Sequence, residues 1–169
     1  MKKIGLLLAL FLTACAAHAP MHQNDLAIRK EIEIQNVSRD RLFERSQLWI
    51  TRNLSSQKEI IAHAEPGQGI IVANGTIDYL AAGELEAIAK VQYTISFVMR
   101  EEIRDAHIVL TFDNLMLNVP KYYHRSRFWP EREYFGGYSV PIEQRADFDA
   151  ARRGVLAIAT KLEEYLRQK

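Results

Sequence analysis

The chain has 169 residues, 48% of them hydrophobic and 25% charged, and a formal net charge of +1. That length suits one domain with a self-sufficient core, and the near-neutral balance excludes the strong basic excess of a general nucleic-acid binder. A single cysteine rules out an internal disulfide, so the fold must stand on packing alone.

Met1-Lys2-Lys3 is a positive start, Ile4 through Leu12 an uncharged apolar run, and Thr13-Ala14 a pair of small residues. This is the build of a secretory signal, well short of the ~20 apolar residues that cross a bilayer as a helix. The ending Leu12-Thr13-Ala14-Cys15 resembles the lipobox of bacterial lipoproteins. The resemblance implies cleavage before Cys15 and acylation of its thiol and new amine; plain secretory cleavage after Ala17 or Ala19 is the alternative. Two or three acyl chains on one residue hold a protein to a membrane far more firmly than one. Ala16 is not the aspartate that retains enteric lipoproteins in the inner membrane. The implied address is therefore the cell envelope, at the outer membrane facing the periplasm. Loss of residues 1–14 removes Lys2 and Lys3 and no acid, taking the net charge from +1 to −1.

Residues 15–27 lack periodicity and read as an acylated N-terminus and tether, roughly 20 Å in root-mean-square span. His18 and His22 fit solvated tether positions better than metal ligands. From Ile28 apolar and polar residues alternate through Val37, imperfectly at Lys30, which predicts a half-buried strand. Ser38 offers an N-cap and Asp40 a first-turn acid to a helix carrying Leu42, Phe43, Trp49, Ile50 and Leu54. Trp49 on such a stripe reads as core.

Lys58–Glu65 predicts a second strand, ended by the turn Pro66-Gly67-Gln68-Gly69. Ile70–Leu80 predicts a third, in which Gly75 marks a bulge or a close backbone approach. The clearest alternation follows: Ala89, Val91, Tyr93, Ile95, Phe97 and Met99 against a mostly polar opposite face, an antiparallel strand with one wet side. Glu101–Arg104 reads as the turn into a fifth strand carrying Ala106, Ile108, Leu110 and Phe112 and reaching about Asn118. Residues 120–141 hold seven of the sixteen aromatics, with Arg125, Arg127 and Arg132 among them. Asp147 reads as the cap of a long amphipathic helix with Phe148, Ala151, Val155, Ile158, Leu162 and Tyr165 on one stripe.

Residues 28–169 thus predict a single two-layer α+β domain. Its five-stranded, mainly antiparallel sheet carries a helix after the first strand and a long C-terminal helix, both on one face. Ser38-Arg39-Asp40 through Leu48-Trp49-Ile50, the run Glu65-Pro66-Gly67-Gln68-Gly69-Ile70-Ile71-Val72-Ala73-Asn74-Gly75-Thr76 and the alternating hairpin at 89–112 together resemble a family of bacterial envelope proteins. That family carries a domain of unknown function with a TATA-binding-protein-like fold. The likeness spans roughly residues 28–118 and implies that fold; it lends no DNA-binding role, because function resides in sites. Several members look like lipoproteins, in keeping with Cys15. The segment 120–141 departs from the family's usual form.

There is no His-Glu-x-x-His, Gly-x-Ser-x-Gly, phosphate-binding glycine loop or Cys-x-x-Cys, and no cofactor is expected. The preferred reading is a non-catalytic binding or structural module, attached through acyl chains on Cys15, with an envelope protein or small ligand as partner. Its partner-binding candidates are Tyr122, Tyr123, Arg125, Arg127, Phe128, Trp129, Tyr134, Phe135 and Tyr138, because Tyr, Trp and Arg dominate interface energies. The competing reading folds those rings back onto the sheet or the last helix. The other functional class is an envelope hydrolase or metal-dependent enzyme, in which His63 and His107 approach across the sheet beside Asp78 or Asp113.

Overall fold

The elements run β1 (Ile28–Glu33), α1 (Arg39–Asn53), β2 (Ile61–Glu65), β3 (Ile70–Tyr79), β4 (Tyr93–Arg104) and β5 (His107–Val119), then β6 (Tyr122–His124), β7 (Glu133–Phe135), β8 (Tyr138–Pro141) and α2 (Arg145–Arg167). This computed structural model describes residues 26–56, 58–79, 93–124 and 133–168. Cys15, the signal and the tether up to residue 25 therefore lie outside the described residues. Leu26, counted with the tether above, is buried in the core, so the folded domain extends at least that far upstream.

One sheet has the order β1-β5-β4-β3-β2, and every pairing in it is antiparallel. β8 also pairs β5. β1 covers β5 over residues 107–112 and β8 covers it over 116–119, so the two lie end to end along one edge. Both helices pack on a single face, giving the α+β layout expected, with β8 as a sixth strand drawn from the aromatic segment. Among the described residues no helix is long and apolar enough to cross a membrane.

Register explains which side chains reach the core. Ile71, Ala73, Gly75 and Ile77 of β3 pair with Glu101, Met99, Phe97 and Ile95 of β4, and all of these face the helices. Leu110 and Phe112 of β5 continue the same layer. Against it α1 lays Leu42, Phe43, Trp49 and Ile50, and α2 lays Phe148, Ala151, Val155, Ala159, Leu162 and Leu166. Truncating one of the buried aromatics in such a layer costs about 3–5 kcal/mol.

β4 does not turn at Glu101, as the sequence suggested; it continues to Arg104, and the turn is Asp105-Ala106 with Ala106 at φ 58°. A carboxylate at an inward position had interrupted the apolar alternation and disguised the strand. Ser38 occupies the N-cap of α1, but its side chain makes no cap bond. Instead Asp105 accepts the Arg39 N–H at 2.8 Å, so the β4–β5 turn caps the helix. In α2 the cap position belongs to Gln144, and Asp147 lies in the first turn, where it accepts a hydrogen bond from the Tyr79 hydroxyl.

Two basic residues join the layers. Lys30 breaks the alternation of β1 because it points inward at the sheet edge, reaching Glu163 at 2.8 Å and Thr160 at 3.3 Å on α2. Arg45 of α1 donates to the carbonyls of Tyr165 and Gln168, both at 2.6 Å, and lies over the Tyr165 ring. It thereby ties α1 to the carbonyl end of α2, where the helix dipole favours a cation.

Candidate binding groove on the open sheet face

The face of the sheet opposite the helices is built from the other register positions: Asn74 and Thr76 of β3, Ser96 and Val98 of β4, Met116 and Asn118 of β5. One local irregularity shapes it. Ser96 pairs Met116 and Val98 pairs Asp113, so Asn114 and Leu115 together oppose Phe97. This is a β-bulge, with Asn114 at φ 49°, a conformation asparagine tolerates better than most residues. The bulge shifts the numbering parity of β5, so that inward positions are even up to Phe112 and odd from Leu115.

On the helix side of the same row, the Phe97 ring lies over Gly75 and meets Phe112 edge-on, with centroids 5.6 Å apart. A Cβ on residue 75 would overlap that ring. The glycine is thus a close-approach site, one of the two roles the sequence allowed it. Bulge and glycine together set the local bend of the sheet.

Over this row the open face carries a groove of about 260 Å³, whose lining mixes the polar Lys58, Asn74, Thr76, Ser96, Asn118 and Ser139 with the apolar Val98 and Met116. Its polar groups are amides and hydroxyls, with Lys58 the one charged side chain among the lining residues. Several are held in place: the Asn118 carbonyl oxygen accepts from Ser139 at 2.6 Å, and its amide donates to Thr94 at 3.3 Å. The Asn74 amide donates to the Glu59 carbonyl at 2.8 Å. Beside the bulge, partial desolvation raises the Asp113 carboxyl above its usual range, with Arg100 pulling it back.

The aromatic segment is rooted at one end of this groove. Gly137 N–H donates to the Val119 carbonyl at 2.8 Å, and Gly136 and Gly137 take φ near +80°. This brings β5 and β8 together at the base of a two-stranded ladder in which Tyr122 pairs Phe135 and Tyr123 pairs Tyr134. Tyr138, on β8 next to the groove-lining Ser139, is 56% exposed. Arg125, Arg127, Phe128 and Trp129 lie outside the described residues.

The histidine pair does not converge. His63 lies on β2 and His107 on β5, with β3 and β4 between them, so strand spacing alone separates them by ~14 Å. Each is 3.6 Å from a carboxylate of its own neighbourhood, His63 from Glu65 and His107 from Glu31. Asp78 and Asp113 pair with Thr94 and Val98, at different heights on the sheet. Among the described residues no three His, Cys, Asp or Glu side chains cluster to hold a metal.

Besides the groove lining, sequence reasoning missed Glu101. Glu101 is fully buried between the sheet and α1, and neither of its oxygens has a hydrogen-bond partner; the same holds for the Ser46 hydroxyl. Burial pushes its carboxyl from 4.5 up to about 8; Ser46 draws it part of the way back, though without a well-formed hydrogen bond. The signal was its parity with Ile95, Phe97, Met99 and Ile103.

Comparison with known proteins places the fold. The model of a domain of unknown function (DUF4468) with TBP-like fold matches residues 29–118. The crystal structure of a TBP-like protein from Parabacteroides distasonis ATCC 8503 superposes with a TM-score of 0.52 at 12% identity, covering 89% of this chain and 97% of that one. The crystal structure of a DUF4468 family protein from Bacteroides ovatus ATCC 8483 gives 0.49 at 13% identity, over 83% and 82%. A search of curated proteins returned no match.

Proposed function

We propose that this chain, which belongs to the DUF4468 family of unknown function with a TBP-like fold, is a non-catalytic binding module held at the envelope membrane by acyl chains on Cys15. Its ligand is an uncharged, hydroxyl-rich molecule of the saccharide class, taken up in the groove on the open sheet face. The observation that carries this reading is the lining of that groove. Asn74, Thr76, Ser96, Asn118 and Ser139 offer paired donors and acceptors without the charge cluster that a phosphate or a carboxylate would need.

A sugar has apolar C–H faces as well as hydroxyls, and aromatic rings pack against such faces. The aromatic segment supplies them. The ladder bearing Tyr122, Tyr123, Tyr134 and Phe135 springs from the end of the groove, whereas the exposed Tyr138 alternates with Ser139 and stands on the other face of β8. In this reading Arg125, Arg127, Phe128 and Trp129, between the two strands of that ladder, belong to the same partner-binding surface. The lipobox-like Leu12-Thr13-Ala14-Cys15 supports attachment, and the short tether keeps the groove within a few nanometres of the lipid surface.

Titration of the isotope-labelled domain with maltotriose and chitotriose tests the groove. Amide shifts should centre on Asn74, Ser96, Asn118 and Ser139 and be lost in Asn118→Ala, whose spectrum otherwise stays that of the folded protein. Absence of shifts at millimolar sugar, or shifts centred on the helices, would refute the assignment. The mass of the mature N-terminus tests the anchor separately. A diacylglyceryl-modified Cys15 is expected; an unmodified terminus at His18 or Pro20, left by plain secretory cleavage, would rule lipid attachment out.

A further inference from the structure

Glu101 and Ser46 are the two buried polar side chains among the described residues, and they face each other across the junction of α1 with the sheet. The residues that the register sets around Glu101 are apolar. Its register partners are Ile71 on β3 and Leu110 on β5, its inward neighbours along β4 are Met99 and Ile103, and the buried side chains of α1 besides Ser46 are Leu42, Phe43, Trp49 and Ile50. The buried side chains of α2 are apolar throughout.

The charged groups on the helix side of the sheet are engaged elsewhere. Lys30 stands in the same row as Glu101, beyond Leu110, but its ammonium is held by Glu163. Arg39 is tied to Gly67 and Asp40, Asp105 accepts the N–H of Arg39, and Arg45 is spent on the end of α2. None of these contacts reaches the Glu101 carboxyl, which can therefore stay in place only while it is neutral.

Ionisation forces a choice, because an unpaired carboxylate must be hydrated or expelled. β4 cannot rotate to expel it, being the central strand with hydrogen-bonded neighbours on both sides. α1 is held to that sheet mainly by side-chain packing, with Asp105 pinning its first turn. We propose that Glu101 and Ser46 form a proton-dependent latch: α1 is seated on the sheet while the carboxyl carries its proton, and loss of the proton lifts the helix to admit water. Release uncovers Leu42, Phe43, Trp49 and Ile50, an apolar surface available only in the deprotonated state.

The test uses the full chain with Trp129→Phe, which leaves Trp49 on α1 as the sole tryptophan. Emission of Trp49 and hydrogen exchange, corrected for intrinsic rates, are followed from pH 6 to 10. Trp49 emission should shift to the red as pH rises, with a midpoint no higher than about 8, and α1 protection should fall at least tenfold while β4 and β5 keep theirs. Glu101→Gln and Glu101→Met should both abolish the transition. The latch is overturned if no transition occurs by pH 10 or if it persists in both Glu101 variants. It is equally overturned if β4 and β5 lose protection together with α1.

Discussion

Gly75→Ala is the most direct probe of how this domain is built, because the two faces of the sheet meet at that residue. The new methyl would overlap the Phe97 ring, which is held on its other side by Phe112. Overpacking a closed core costs typically 1–3 kcal/mol, and replacing glycine returns about 0.4–1 kcal/mol through the unfolded chain. The net expectation is a loss of about 1–2 kcal/mol. For a chain of this size that lowers Tm by roughly 2–8 °C. Urea denaturation measures it, with a double-mutant cycle against Phe97→Leu to identify the cause. Because the smaller side chain removes the ring from above residue 75, the cost of Gly75→Ala should fall below about 0.5 kcal/mol in that background, within the usual scatter of additivity. A Gly75→Ala protein as stable as the parent, or a cost unchanged by Phe97→Leu, would refute the account of the row.

The remaining predictions concern charge. The Glu101 carboxyl has a folded-state pKa raised above its unfolded value, so the native state holds a proton that the unfolded chain has lost between pH 4.5 and about 8. Stability must therefore fall as pH rises through that window, at up to about 1.4 kcal/mol per pH unit and by about 5 kcal/mol in all. Glu101→Gln should match the parent within ~1 kcal/mol near pH 5 and exceed it by several at pH 9; parallel pH profiles from denaturant titrations would defeat this. Glu163 has the opposite sign: hydrogen bonds from Lys30 and then Arg167 hold its pKa below the usual range, so its contribution is lost as pH falls. With each side chain of the pair about a quarter exposed, Lys30→Met should cost about 0.5–1 kcal/mol at pH 7 and almost nothing near pH 3. A cost independent of pH would show that Lys30 contributes only its stem.

The parts of this fold that could be read in advance are those where one period runs unbroken. Tyr93 to Met99 alternates cleanly and appeared as expected; α2 repeats its apolar stripe every three or four residues, with Ala159 and Leu166 in the buried places expected for Ile158 and Tyr165. Gly75 was legible as a bulge or a close approach, and the Phe97 ring over it decides for the second. Lys30 and Glu101 were not legible, for a shared reason. Each puts an ionisable side chain at an inward position, which reads as a broken pattern, and only the register shows that the pattern continues beneath it. Capping failed similarly: Ser38 has the right side chain in the right place, yet Asp105, remote in sequence, makes the bond. The groove lay hidden because its lining comes from four strands and the link after α1, and because the bulge at Asn114 changes which numbered positions of β5 face outward.

That bulge also explains how a single sheet serves two demands. The helix face needs a continuous apolar layer, and β5 provides it on both sides of Asn114, through Phe112 before the bulge and Leu115 after it. The open face needs a depression, and the same extra residue bends the strand where Asn74, Ser96 and Asn118 can surround it. The edge follows suit: β1 ends its pairing at Phe112, and β8 begins at Met116. The aromatic segment can therefore leave the sheet and return to it beside the groove without disturbing β1. Without Asn114 the strand would alternate plainly, with Leu115 opposite Phe97 and with Met116 and Asn118 still on the open face. The side chains flanking the bulge are thus already in phase for the core, and the inserted residue adds only the bend. Core and groove are separable in this design: the first is set by which residues stand on each side of Asn114, the second by Asn114 being there at all.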